Sequence, residues 1–142
     1  MHTFLKTRQA AILTLFVFLL PVLLIMLGFS VDMAYMQLVQ TEMRLATDNA
    51  ARVAADNLSR YEDEVLAANE AIEIAKKFTV AGKPLHLSEN DIDFGRATAD
   101  LDGVFAFDTN GFPPNAVRIN SARNLNNADG TVPLFFSNFI GN

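Results

Sequence analysis

Between Gln9 and Val31 the chain carries no ionisable side chain, and Ala10 to Val31 reads AAILTLFVFLLPVLLIMLGFSV. As a helix this run is about 33 Å long at about 1.5 Å per residue, enough to cross the hydrocarbon core of a bilayer. Its backbone polar groups are then satisfied within the helix, which is what a lipid environment demands. Pro21 lies mid-run and removes one helical hydrogen bond, so the sequence predicts a kink between Val17 and Pro21, of a kind that membrane helices tolerate.

Lys6, Arg8 and the terminal amine precede the run, and Arg44 is the one cation within about 20 residues after it. This asymmetry predicts a cytoplasmic N-terminus and an extracytoplasmic remainder. Cleavage as a signal peptide is the structural alternative, since Gly28-Phe29-Ser30 offers small residues at peptidase spacing. The run is longer than a usual signal core and the helical pattern continues through the cut into Asp32, which favours a retained signal-anchor.

Hydrophobic residues make up 51% of the chain, but the charges gather after the run: from Asp32 onward nine Lys or Arg stand against sixteen Asp or Glu. That acidic balance repels phosphate backbones and argues against nucleic acid as a partner. There is no cysteine, so neither disulfides nor thiolate chemistry is available. The residues beyond the run suffice for one small domain, near the lower size at which a core is enough.

From Asp32 to about Arg60 the helical pattern persists, with Met36, Val39, Met43, Ala46, Ala50, Val53 and Asn57 three and four apart. The seam has the spacing of coiled-coil packing, and Ala46, Ala50 and Ala54 at four-residue intervals would let another backbone approach. The helix can lie on its own C-terminal sheet or against another subunit. Arg44, Asp48, Arg52, Asp56, Arg60 and Glu64 alternate in sign as i,i+4 neighbours, each pair worth about 0.2–0.5 kcal/mol. A four-residue step overshoots a helical turn by about 40°, so the ladder should wind around the helix and not all sit on one exposed face, and some of its charges should meet partners.

Ser59 to Asp63 interrupts the apolar pattern, and a second helix is expected over about 64–78, closed by Ala81-Gly82-Lys83-Pro84. Alternation then signals three antiparallel strands in Asp91–Ala97, Val104–Phe107 and Ala116–Ala122, with Asp102-Gly103 and Asn110-Gly111 as hairpin turns. Val132-Pro133-Leu134-Phe135-Phe136 would add an edge strand or cover the sheet, so strands extend over about 91–136.

No catalytic constellation is visible. His2 and His86 are the only histidines, no zinc spacing exists, and neither a phosphate-binding glycine loop nor a Gly-x-Ser-x-Gly elbow occurs. Asp100, Asp102, Asp108 and Asn110 cluster in sequence but lack the spacing and closing Glu of a calcium loop, so they read as turn residues. An enzyme, a cofactor or a bound metal is not expected.

Arg8-Gln9-Ala10-Ala11, Leu20-Pro21-Val22-Leu23-Leu24, Val31-Asp32, Thr41-Glu42-Met43 and Ala46-Thr47-Asp48-Asn49-Ala50-Ala51 succeed one another in an order and spacing that resembles the TadE/TadG-like family of the tight-adherence (Flp) pilus apparatus. Residues 8–55 carry the likeness best. Asp91–Gly95, Asn115–Ile119 and Pro133–Phe136 resemble the region that comes after this module in longer members. Pilin-like members have a Gly and a Glu five residues on for prepilin processing, where this chain has Gln9 and Thr14. The Asp-x-Ser-x-Ser of larger members is missing, so the chain resembles a short member or a fragment.

The resemblance implies a non-enzymatic, membrane-anchored structural or assembly component of a bacterial Tad/Flp-type pilus or related secretion apparatus. Its partners would be membrane lipid, pilus or secretion-system proteins, or further copies of itself. A single-pass tethered binding module unrelated to pili is the alternative. The expected architecture is α+β and pilin-like: a cytoplasmic tail over 1–9, a transmembrane helix over 10–31 in the inner membrane, and an extracytoplasmic domain over 32–142. In that domain the transmembrane helix continues as an amphipathic helix to about residue 60, before the second helix and a small antiparallel sheet. Contact is expected along Met43, Ala46, Ala50, Val53 and Ala54, with Pro21 kinking the membrane segment.

Overall fold

The computed structural model describes the backbone of residues 3–123 and 130–136, with side chains from Ile12 onward. His2 and the side chains of Lys6 and Arg8 lie outside the described residues. The architecture is one long apolar N-terminal helix, a second helix and a small antiparallel sheet. Helix α1 runs from Thr3 to Tyr61 and remains helical through Pro21. Two compact units share it: one joins the chain up to Gln37 to the segment from Pro133, and the other spans Leu38–Val132.

In the first unit the large apolar side chains from Ile12 to Val31 are exposed, and α1 is the one helix among the described residues long and apolar enough to cross a membrane. Among the described residues the single buried charged one is Asp32, 6% exposed. Its Oδ1 accepts from the Phe135 amide and its Oδ2 from the Phe136 amide, each at 3.0 Å. Tyr35 meets Phe135 edge to face with centroids 6.1 Å apart. Gly28, one turn before Asp32, is buried against Phe136; a Cβ there would lie 2.6 Å from the ring, so this close approach needs glycine. The strand expected at Val132–Phe136 does not form, and Phe135 and Phe136 make a turn instead. Both their amides are occupied by the Asp32 carboxylate and so do not donate to a neighbouring strand.

In the second unit α1 ends where Glu62 takes a φ of 52°, its amide still bonded to the Leu58 carbonyl at 2.9 Å. Asp63 then starts helix α2, Glu64–Ala75: its Oδ1 accepts from the amides of Val65 and Leu66 and satisfies two otherwise orphaned donors. The helix closes sooner than the expected residue 78. Ala81 (φ 50°) and Gly82 (φ 76°) are not its cap but the two central residues of a tight hairpin joining β1, Thr79–Val80, to β2, Lys83–Pro84. Positive φ at both centres is the signature of a type I′ turn, and alanine rarely supplies it. The Ala81 amide donates to Glu42 Oε2 of α1 at 2.9 Å, which holds this residue in place.

Three strands come next: β3 (Ile92–Ala99), β4 (Phe105–Asp108) and β5 (Ala116–Ile119). Asp102-Gly103 serves as the expected hairpin turn between β3 and β4, with Gly103 at φ 78°. Asn110-Gly111 turns the chain after β4 but does not make a hairpin of β4 and β5. The sheet order is β4-β3-β5, so β5 pairs with the other edge of β3, Ile92 opposite Ile119 and Gly95 opposite Ala116. The connection must therefore cross β3, and it does so at Gly95, where a Cβ would collide with the Asp108 carbonyl and lie 2.9 Å from the Phe107 ring. Asn115 completes the crossing: its amide donates to the Gly95 carbonyl, and its side chain takes both the amide and the carbonyl of Ala97, as another strand residue would.

The core of this unit is built largely from small side chains: Ala46, Ala50, Ala54, Ala67, Ala71 and Ala75 are fully buried, alongside Leu58, Val80, Leu85, Leu87 and Ile92. A buried methyl contributes about 0.8 kcal/mol, against about 1.5–3 kcal/mol for a fully buried Leu or Val. Leu85 and Val80 are the largest wholly buried side chains, so they carry a disproportionate share.

Candidate interaction surface

Along α1 in the second unit the buried line runs Val39, Ala46, Ala50, Ala54, Leu58. From Ala46 onward every step is four residues, whereas the expected seam alternated threes and fours and passed through Val53 and Asn57. Ala46, Ala50 and Ala54 have no exposed surface within this single chain; Met43 and Val53 are half-buried, and Met36 stays 40% exposed. Asn57 is turned to its own helix, donating to the Val53 carbonyl at 2.9 Å.

The six ladder residues Arg44, Asp48, Arg52, Asp56, Arg60 and Glu64 are all exposed. This corrects the expectation that a winding ladder cannot all sit on one exposed face. Ladder and buried line both advance by four residues, and Arg44, Asp48, Arg52 and Asp56 each precede a buried residue by two positions, about 200° around the helix. The two stripes wind together, so the charges stay opposite the core. Arg60 Nε meets Asp56 Oδ1 at 2.9 Å, and this bond and charge raise the Arg60 pKa further above its ordinary value. On α2, Lys76 Nζ lies 2.7 Å from Glu73 Oε1, and the hydrogen bond, followed by the charge of Lys76, lowers the Glu73 pKa.

One flank of the α1 line opens onto a shallow groove of about 510 Å³, walled by Met43, Arg44, Thr47 and Asp48 on the helix and by Ile119, Asn120 and Ser121 at the end of β5 and just beyond it. Thr47 Oγ1 donates to the Met43 carbonyl at 2.8 Å and sits 2.6 Å from Ser121 Oγ, fixing this segment to the helix. A second hollow of about 390 Å³ lies at the α1–α2 junction, where Leu58, Glu62 and Glu64 face Phe112, Pro113 and Pro114. Both offer mixed apolar and charged surface of the kind that protein contacts use.

Catalytic furniture does not converge here. Among the described residues no three His, Cys, Asp or Glu come together to hold a metal ion. His86 is exposed between buried Leu85 and Leu87. The acidic residues near the hairpin serve their own turns: Asp100 Oδ1 accepts from the amides of Asp102 and Val104, and Asp108 Oδ1 from that of Asn110.

Residues 9–57 match the family model described as "Putative Flp pilus-assembly TadE/G-like". The match covers the apolar segment and most of its continuation in α1, and it stops before α2 and the sheet. No curated protein and no solved structure shows significant similarity to the chain. The likeness to the TadE/G-like family thus carries a hint of pilus assembly for the anchoring helix.

Among the contacts that side-chain pattern did not signal are those of Asp32 with the Phe135 and Phe136 amides, of Glu42 with the Ala81 amide, and of Asn115 with Ala97. Asp32 carried the one available signal, an acid directly after a long apolar run. The other two join residues distant in sequence through backbone groups, which side-chain pattern does not report.

Proposed function

We propose that this protein is a non-enzymatic structural or assembly component of a Tad/Flp-type pilus or related secretion apparatus, held in the bacterial inner membrane by residues 10–31. The observation that carries the reading is the match of residues 9–57, which coincides with the apolar segment and the alanine-rich helix beyond it. In this reading 1–9 is a cytoplasmic tail, 32–142 is the extracytoplasmic domain, and Pro21 bends the helix where it crosses the bilayer. The exposed apolar side chains between Ile12 and Val31 meet lipid.

Among the seam residues Met43, Ala46, Ala50, Val53 and Ala54, the three alanines supply the domain's own core. Contact with a second protein falls to half-exposed Met43 and Val53, and to the groove that Met43 shares with Arg44 and Asp48. A photo-crosslinking residue at Met43, in native membranes, tests this, with the same residue at Ala50 as the buried control. Adducts with pilus or secretion-machine proteins from Met43 are expected. Adducts solely with proteins outside such machinery would overturn it in favour of a tethered binding module unrelated to pili.

A further inference from the structure

We propose that Pro133–Phe136 is a second membrane contact: by clasping the Phe135 and Phe136 amides, Asp32 sets the two phenylalanines in the lipid interface at the C-terminal end of the span. The inference rests on the reading that residues 10–31 cross the bilayer. Helix geometry fixes the depth, because Gly28 precedes Asp32 by one turn, about 6 Å along the axis, and lies inside the apolar run. The Phe136 ring packs on Gly28, so it shares that level. A span that buries Gly28 in lipid carries Phe136 in with it.

The chemistry of the contact suits that position. Phe135 is 72% and Phe136 41% exposed, apolar surface left uncovered by the chain. A non-helical turn at this depth leaves amides that water cannot reach, and such groups are tolerated only when the protein itself satisfies them. Asp32 does so for both, one oxygen to each amide. The arrangement also explains why a carboxylate directly after the apolar run is buried: it is the acceptor of a turn, not a solvated end of the span. Tyr35, edge-on to Phe135, adds an amphipathic ring of the type that collects at membrane interfaces.

The chain contains no tryptophan, so single-tryptophan variants report depth without background. Full-length F136W and F135W are reconstituted in phosphatidylcholine–phosphatidylglycerol vesicles with lipids brominated near the headgroup or deep in the acyl chain; F18W marks the span and F105W the domain. F136W is expected to be quenched several-fold more strongly by shallow bromines than F105W and to resist aqueous iodide. The Asp32→Ala change should return it to the F105W pattern while F18W keeps its deep quenching.

Iodide access to both F136W and F135W with F18W still lipid-quenched would overturn the clasp alone and leave the span standing. Shielding from both bromine and iodide would mean that a protein covers the turn, and the lipid assignment falls. Unchanged quenching of F136W in the Asp32→Ala background would remove Asp32 from the device. Loss of lipid quenching in F18W would sink the spanning reading and the inference with it.

Discussion

From Ile12 to Val31 the large apolar side chains are between 45% and 71% exposed and the nearby acid Asp32 is buried, whereas from Leu38 to Val132 alanine is the commonest buried residue and the charged ladder faces outward. The two regions invert each other. Burial tracks the cost of the alternative: apolar surface is driven out of water but not out of lipid, and a carboxylate is buried only where donors replace its solvation. Asp32 has those donors in two backbone amides. In the second region the alanine line exists because the helix needs close neighbours along a winding stripe, and the ladder survives at the surface because it winds in step.

That contrast breaks most visibly if a charge enters the first region. Leu20→Arg places a cation near the centre of the apolar run, at about 2.5–3.5 kcal/mol on insertion scales. Carbonate extraction of membranes should release a large share of this variant, while Leu45→Arg, at an exposed site in the second region, stays with wild type. Equal behaviour of the two would mean that the exposed apolar helix does not face lipid.

A smaller effect sharpens the second half of the comparison. Ala50 has no exposed surface, so Ala50→Leu overpacks the line and should destabilise the domain by about 1–3 kcal/mol in urea titration of the detergent-solubilised chain. A neutral result would show slack around the alanines and leave room for a partner helix.

The smallest effect concerns the charged face. The folded-state pKa of Glu73 is lowered by Lys76, so the pair's contribution is complete above the unfolded glutamate pKa and is lost as pH falls through the folded value. Lys76→Met should therefore lower the melting temperature slightly at neutral pH and not at all in strong acid. The pair is exposed, and a large neutral-pH loss would show that this face is not merely solvated.

Local pattern was enough to read the apolar run, the helix beyond it, the start of α2 at Asp63 and the positions of β3, β4 and β5, because each depends on neighbours within a turn or a strand. The ladder misled because it was judged against a straight reference line, and the true reference was a core stripe drifting by the same 40° per step. Asn110-Gly111 looked like a hairpin because its composition favours tight turns. Whether the next strand folds back beside β4 or crosses β3 was settled by Asn115 on Ala97 and by the room above Gly95.

Solvent preference and periodicity, read residue by residue, thus marked a long apolar helical run before Asp32 and an acidic stretch of helix and strand patterns after it. Three outcomes needed the folded chain. The return of Pro133–Phe136 to Gly28 and Asp32, the positive φ of Ala81 beneath Glu42, and the β4-β3-β5 order all depend on backbone groups meeting partners many residues away. Such pairings leave no period in the sequence, because the groups that make them are common to every residue and only three-dimensional proximity selects among them.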